Sequence, residues 1–586
     1  MNKFSLNYCK PHKPDLNVLG EQFQITMHDS PSGVEYHPYR IQDLQLYNPI
    51  YKRIFDMNST NFDRISLNHP YHIHDLHHVS DVTKSEIYER DVFVKFSPLL
   101  DPYRYMVGKY SADDAKIRTL PRLDSTEDVV HSKMLNYHNA SYVDSFFCYL
   151  SGMFLHSHKF IHGVNYYGSY LGVQDKFRVS ITDDIEFLRN SRFFNENIGK
   201  LFVVEDVEHV MDGLHTLAGS RQNKNRLCLE DVGEIDLGCD TLPDNASPDN
   251  ASLKAAEINT IADVEIVYTK TTLSTLSSSS CSSDSELNYS SSDSGSHSDS
   301  DSGSHSHSDS GSHSDSDSGS HSEDGSHSDS GSDFSDEDEI YGYIHNFPIQ
   351  MICMEKCDGT MDELFVNDKI APDNAAGYLF QIIMNLLVYQ KAFHFTHNDL
   401  HTNNVMYVNT DIPFLYYKYA GLTYKVPTNG RIMKIIDFGR GIYKFNGKTY
   451  CSDSFASEGD AATQYNIEPF FNDKRPRLEP NNSFDLCRLG SSIFDFVMDI
   501  DLEPDEMDDL QKTIARWCMD DNGKNILYKK NGEERYPSFK LYKMIARNVH
   551  HHTPESQLAE PYFNQFLSSD VQDAEIFDID QIPSYV

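Results

Sequence analysis

Positive charge is scarce in this chain: 50 Lys and Arg stand against 89 Asp and Glu, a formal net charge of -39 over 586 residues. That balance excludes a nucleic-acid binder that works by blanket neutralisation of phosphates. No apolar run approaches the roughly 20 residues of a membrane-spanning helix. The stretch from Met1 to Lys10 lacks the apolar core of a secretory signal. The 10 cysteines are scattered without CxxC spacing, the closest pair being Cys353 and Cys357. A zinc ribbon or disulfide framework is therefore not expected, and a reducing compartment is. The expectation is a soluble intracellular protein of the cytoplasm, with neither membrane nor nucleic acid as partner. Hydrophobic residues reach only 39%, so part of the chain is expected to stay unfolded.

What is present divides the chain. Residues 1–60 mix Pro, Asn, Tyr and His without sustained periodicity and read as a lead-in. Over 61–205, strand-like and helical runs alternate. Val92 to Phe96 reads as a buried strand stopped by Ser97-Pro98, and Ala140 to Leu155 as a helix with Tyr142, Phe146, Tyr149, Leu150 and Met153 at helical spacing. Gly163 to Val173 and Phe177 to Ile181 read as a strand pair. Residues 206–340 differ in kind. Their Ser/Asp/Gly/His repeat between Ser290 and Ser330 cannot bury enough apolar surface to offset ordering entropy, so a disordered acidic insert is expected. Order is expected to resume with a strand in 341–358, then a mostly helical unit over 359–566 and a tail over 567–586. Within that unit, Ala375 to about Gln390 carries Leu379, Ile382, Ile383, Leu386 and Leu387 on one helical face.

Chemistry concentrates just after that helix. In His397-Asn398-Asp399-Leu400-His401-Thr402-Asn403-Asn404, a carboxylate precedes an amide by five residues, and the apolar run Val405 to Val408 follows. A carboxylate so placed can orient an acceptor hydroxyl and take its proton, while an amide oxygen can ligate a metal ion beside phosphates. A second short strand ends in Asp437-Phe438-Gly439, offering another hard oxygen ligand of the kind Mg2+ requires.

The first stretch resembles the HRDLxxxN loop of the protein-kinase superfamily and the second its DFG motif. The resemblance implies Asp399 as catalytic base and Asn404 and Asp437 as magnesium ligands. It implies further that Lys95 holds the nucleotide phosphates, with Asp144 as its acidic partner and Glu127 the second candidate. Met351 to Cys357 resembles the strand and hinge that grip adenine, with Met354 as gatekeeper and the backbone of Glu355 and Cys357 bonding the base. Ser483 to Gly490 is similar to the start of the central helix of the large lobe, and Asp485 to the aspartate bracing the catalytic loop. Gly459 to Pro469 resembles the end of the activation segment. The implied fold is an α+β, two-lobed kinase-like fold with the acidic insert in the smaller lobe. A looser similarity, over about 60–566, is to kinase-like proteins of large DNA viruses, which would place the chain in host cytoplasm. The implied function is transfer of the ATP γ-phosphoryl group, with Mg2+, to a serine or threonine of a protein substrate. A small-molecule kinase and a non-catalytic scaffold recruiting basic partners through the insert stay open.

The chain departs from that family at specific places. Only Gly20 and Gly33 precede Lys95, so no glycine-rich loop covers the phosphates. Asn398 stands where the family has Arg and cannot pair with an activation-loop phosphate. His401 stands where a Lys is usual and supplies less charge, which widens the choice of acceptor. Away from these motifs, His72, His74, His77 and His78 read as a surface cluster, with His72 and His74 on one strand face.

Overall fold

A computed structural model describes residues 2–26, 34–110, 115–182, 184–205, 340–367, 369–498, 505–537, 539–569 and 574–586. The expected acidic insert lies outside the described residues. The architecture is mixed α and β.

The first half builds a five-stranded antiparallel sheet. Ile41–Gln45, Tyr166–Ser180, Tyr341–Glu355 and Val92–Pro98 lie side by side in that order, and Phe202–Val204 joins the edge of Tyr341–Glu355. Tyr341–Glu355 is the central element, pairing with Tyr166–Ser180 on one edge and with Val92–Pro98 on the other, so that Lys95 stands opposite Ile352. Where the sequence suggested a strand pair, one strand runs without a break from Tyr166 to Ser180. Its polar stretch Gln174-Asp175-Lys176 stays extended because Gln174 and Lys176 pair with Phe347 and His345 of the equally long Tyr341–Glu355, while the Asp175 amide donates to the Arg40 carbonyl at 2.8 Å.

The helix Ala140–His158 packs against this sheet and is buried on nearly every side. Asn139 caps its start by accepting from the Ser141 amide, and Lys159 ends it in the left-handed region. A helix wrapped in apolar contacts gives a charge at position 144 no route to water, which obliges Asp144 to find a cation inside.

The second half is organised by the helix Pro372–Phe393, opened by proline and closed by His394 at φ 49°. Around it lie Phe484–Val497, Asp509–Trp517 and Lys540–Asn548, together with the antiparallel pair Val405–Asn409 and Arg431–Ile435. The long connection between these two strands is itself a hairpin, Phe414–Tyr419 with Leu422–Pro427, turning through Ala420 and Gly421 at positive φ. Ile576–Asp578 adds to it in parallel, and Tyr585 is buried against Phe393 and Phe445. The two halves meet along the Phe147 side chain, which stacks on Phe395 at 4.2 Å and touches Phe438 at 4.7 Å. Among the described residues, no helix is long and apolar enough to cross a membrane.

Candidate active site

Lys95 is the hub. Its ammonium lies 2.7 Å from Asp144 Oδ2 and 2.8 Å from Asp437 Oδ1, and the lysine is only 8% exposed. Burial by itself would lower the Lys95 ammonium, but the two carboxylates hold it above the ordinary lysine range and so keep it charged. Asp144 uses its other oxygen to accept the Phe438 amide at 2.8 Å. One aspartate on a buried helix thus fixes both the lysine and the segment bearing Asp437. Glu127, the second candidate for this pairing, is exposed.

Asp437 sits at φ 64°, a backbone conformation that few non-glycine residues adopt. It is held there from both sides. Phe438 is packed among Phe147, Phe395 and His397, and the Ile436 amide donates to the Asn404 carbonyl at 3.0 Å. That last bond, with the Val405–Ile435 pairing, sets Asn404 and Asp437 at adjoining strand ends.

The loop before Asn404 is braced from beneath. Asp485, fully buried, accepts the amides of His397 and Asn398, each at 2.9 Å. Asn398, at φ 66°, donates to the carbonyls of Thr396 and Arg440 and accepts from the Tyr465 hydroxyl at 2.8 Å. The His397 ring reaches the Ile436 carbonyl through Nε2 at 2.9 Å, and its Nδ1 accepts the Asp399 amide at 3.2 Å. Thr402 donates to Asp362 at 2.5 Å.

Asp399 keeps a quarter of its side chain exposed, with Arg440 3.8 Å away and the Tyr542 hydroxyl donating to it at 2.7 Å. Burial works to raise this carboxyl. Arg440, then His401, Arg488 and Tyr542, outweigh it and hold Asp399 well below the usual carboxylate range. Arg488 Nε donates to the Tyr542 hydroxyl at 2.8 Å, and Arg440 also pairs with Asp460. The Asn404 amide nitrogen donates to the Asp399 carbonyl at 2.9 Å and lies 3.1 Å from His401 Nε2, so its oxygen is not used in these contacts. An amide oxygen and a carboxylate at neighbouring strand ends fit a hard divalent cation.

At the central strand's end, Met354 is buried, and the Glu355 amide already donates to the Asn165 carbonyl at 3.0 Å. The Glu355 carboxylate pairs with Lys434 at 2.6 Å, and the Lys356 amide bonds Asp91 at 3.2 Å. Cys357 is partly exposed just beyond. Lys95, Asp144 and Asp437 thus form one cluster, and Asp399, His401, Asn404 and Asp485 a second that adjoins it through the Ile436–Asn404 bond, while Met354, Glu355 and Cys357 lie at the end of the central strand. Arg440, Arg488 and Tyr542 were not anticipated. A charged residue on the core face of Phe484–Val497 was the available signal for Arg488, and adjacency to Gly439 for Arg440. Tyr542 gave none.

No family model matches the chain. It is similar to the serine/threonine-protein kinase haspin of Mus musculus, 30% identical over 134 residues, which cover 22% of this chain and 17% of that protein. It is also similar to haspin of Bos taurus, 34% identical over 92 residues, 15% of this chain and 12% of that protein. The chain thus spans less than a fifth of these relatives, and the likeness is to a protein kinase over part of the sequence.

Proposed function

We propose that the chain is an ATP-dependent phosphotransferase of two-lobed, kinase-like fold that acts on serine or threonine hydroxyls of proteins. The observation that carries this reading is Lys95 bridging Asp144 and Asp437 beside the braced Asp399–Asn404 loop. In this reading Lys95 orients the nucleotide phosphates, and Asn404 and Asp437 hold Mg2+, which neutralises phosphate charge when bound. Asp399, kept ionised by Arg440 and Tyr542, orients the acceptor hydroxyl and accepts its proton. The Glu355 carbonyl and the Cys357 backbone would face the base, with Met354 behind it. The partial likeness to haspin supports a protein acceptor over a small molecule.

A second reading is a kinase-like scaffold. It is favoured by Val92–Pro98 lying at the sheet edge, since among the described residues no strand pairs with the outer side of the strand that carries Lys95. Magnesium-dependent ATP turnover decides between them. Asp399→Asn keeps the Tyr542 contact, so the fold should persist while turnover falls by about 10²–10⁴-fold. Asp437→Ala should abolish turnover together with its magnesium dependence. A wild type that binds no nucleotide would leave only the scaffold.

A further inference from the structure

The histidine cluster after Leu67 has a partner that the sequence did not reveal. The short strand Tyr8–Cys9 pairs antiparallel with Ser66–Leu67, setting Cys9 against Ser66. This brings the Cys9 thiol 3.8 Å from His72 Nε2, and the rings of His69 and His72 lie 3.9 Å apart. One ligand atom from each of Cys9, His69 and His72 lies within 4.8 Å of the other two. The expectation of a surface cluster with His72 and His74 on one strand face does not hold, because His72 is buried while His74 is exposed and lies beyond the strand Tyr71–Ile73.

His69 is prepared for ligation. Its Nδ1 lies 2.7 Å from the Tyr71 carbonyl, which fixes that nitrogen as the N–H donor and leaves Nε2 as a lone pair. Nε2 is buried and has no hydrogen-bond partner, on a residue only 6% exposed. A buried nitrogen without a partner is unusual unless something else binds it. His72 presents Nε2 to the thiol, and its Nδ1 is likewise unpartnered. Around a tetrahedral Zn2+, with Zn–S of about 2.3 Å and Zn–N of about 2.0 Å, sulfur and nitrogen stand roughly 3.5 Å apart. The observed thiol–imidazole separation needs little adjustment to reach that spacing.

We propose that Cys9, His69 and His72 form a structural Zn2+ site that staples the amino-terminal strand to the Ser66–Ile73 segment, with water as fourth ligand on the partly exposed Cys9 side. A mixed thiolate and imidazole set selects Zn2+ over Mg2+ or Ca2+. On binding, the Cys9 S–H bond breaks, its proton passes to solvent, and the 3.1 Å donation to the Leu67 carbonyl is replaced by the Zn–S bond. The staple reaches toward the active site, since the neighbouring Asn68 accepts from the Tyr149 hydroxyl at 2.9 Å on the helix that bears Asp144.

The test uses the full, untagged chain stripped with chelator and titrated with Co2+, then Zn2+. Because histidines of the acidic repeat can also bind metal, the decisive signal is sulfur. One equivalent of Co2+ should give a thiolate charge-transfer band and a tetrahedral d–d spectrum, both displaced by Zn2+. Cys9→Ser should abolish the charge-transfer band while Cys357→Ser keeps it. His69→Gln should weaken binding at least tenfold, and Zn2+ should shield Cys9 from alkylation in the wild type. A wild type without the sulfur band, or a band that survives in Cys9→Ser, overturns the site. Neither result bears on ATP turnover, so it stands or falls apart from the phosphotransfer reading.

Discussion

The floor and the edge of the candidate active site are built to opposite standards. On the floor, the loop from His397 to Asn404 is fixed by bonds with Asp485, Tyr465, Asp362 and the Ile436 amide, so Asn398 within it and Asp437 beside it are held in left-handed backbone. At the edge, Val92–Pro98 carries Lys95 with pairing on one side only; the Val92 amide reaches the Leu76 carbonyl, and beyond it no strand follows among the described residues. The contrast teaches that preorganisation here resides in the positions proposed for base and metal ligands, while the lysine is placed by side-chain charge. Electrostatic preorganisation of that kind works only where the charges are held before substrate arrives.

The comparison is broken most severely by removing the lysine. Lys95→Met leaves Asp144 and Asp437 facing each other without a cation, and breaking a buried pair from one side costs about 3–5 kcal/mol. Urea denaturation should register that loss, and nucleotide binding should disappear. Lys95→Met with Asp144→Asn keeps an acceptor for the Phe438 amide and removes one buried charge, so much of the stability should return while binding does not. If the single variant is as stable as wild type, the charge-placed edge is wrong.

A smaller effect sharpens the floor. The Asp399 carboxyl lies below its unfolded value, so the stability it contributes is present above that unfolded value of about 3.9 and fades only as pH falls through the folded one. Wild-type turnover should therefore show no acid limb from this group near neutrality. Arg440→Met removes the largest opposing cation, which raises the carboxyl, so the variant should lose kcat/KM at a higher pH than wild type does. Identical pH profiles would show that Arg440 does not set the charge of Asp399.

The motif residues were legible because each is a polar group at a boundary of an apolar element. Asn404 stands just before a strand, Asp437 just after one and Asp485 in the first turn of a helix, and Lys95 betrayed itself as a charge inside a buried strand. The hairpin of Phe414–Tyr419 and Leu422–Pro427 was not legible, because its Ala420-Gly421 turn lacks the Asn-Gly signature and its third strand arrives from residue 576 onward. Tyr542 and the pairing of Cys9 with His69 and His72 escaped for the same reason. They are contacts across 143 and about 60 residues, which no local pattern encodes.

The smallest expected effect concerns regulation. The segment after Gly439 is anchored by Asp453, which accepts from Lys133 Nζ at 2.6 Å and from the Ala140 amide at 3.0 Å, at the very start of the helix that carries Asp144. A permanent carboxylate at a helix start gives the favourable charge that a phosphate would supply in a switched enzyme. Asn398 meanwhile holds the His397–Asn404 loop through neutral bonds to the Arg440 carbonyl and Tyr465 hydroxyl, where the family resemblance would place an arginine. Ser452 and Ser454 are already buried, with the Ser452 hydroxyl accepting the Ser454 amide at 3.2 Å. Thr449→Glu, Ser452→Asp and Ser454→Asp should therefore bring no gain in turnover, and the two buried positions should lose stability. A large activation by any of them would mean that the floor is a switch and that its rigidity belongs to one state of two.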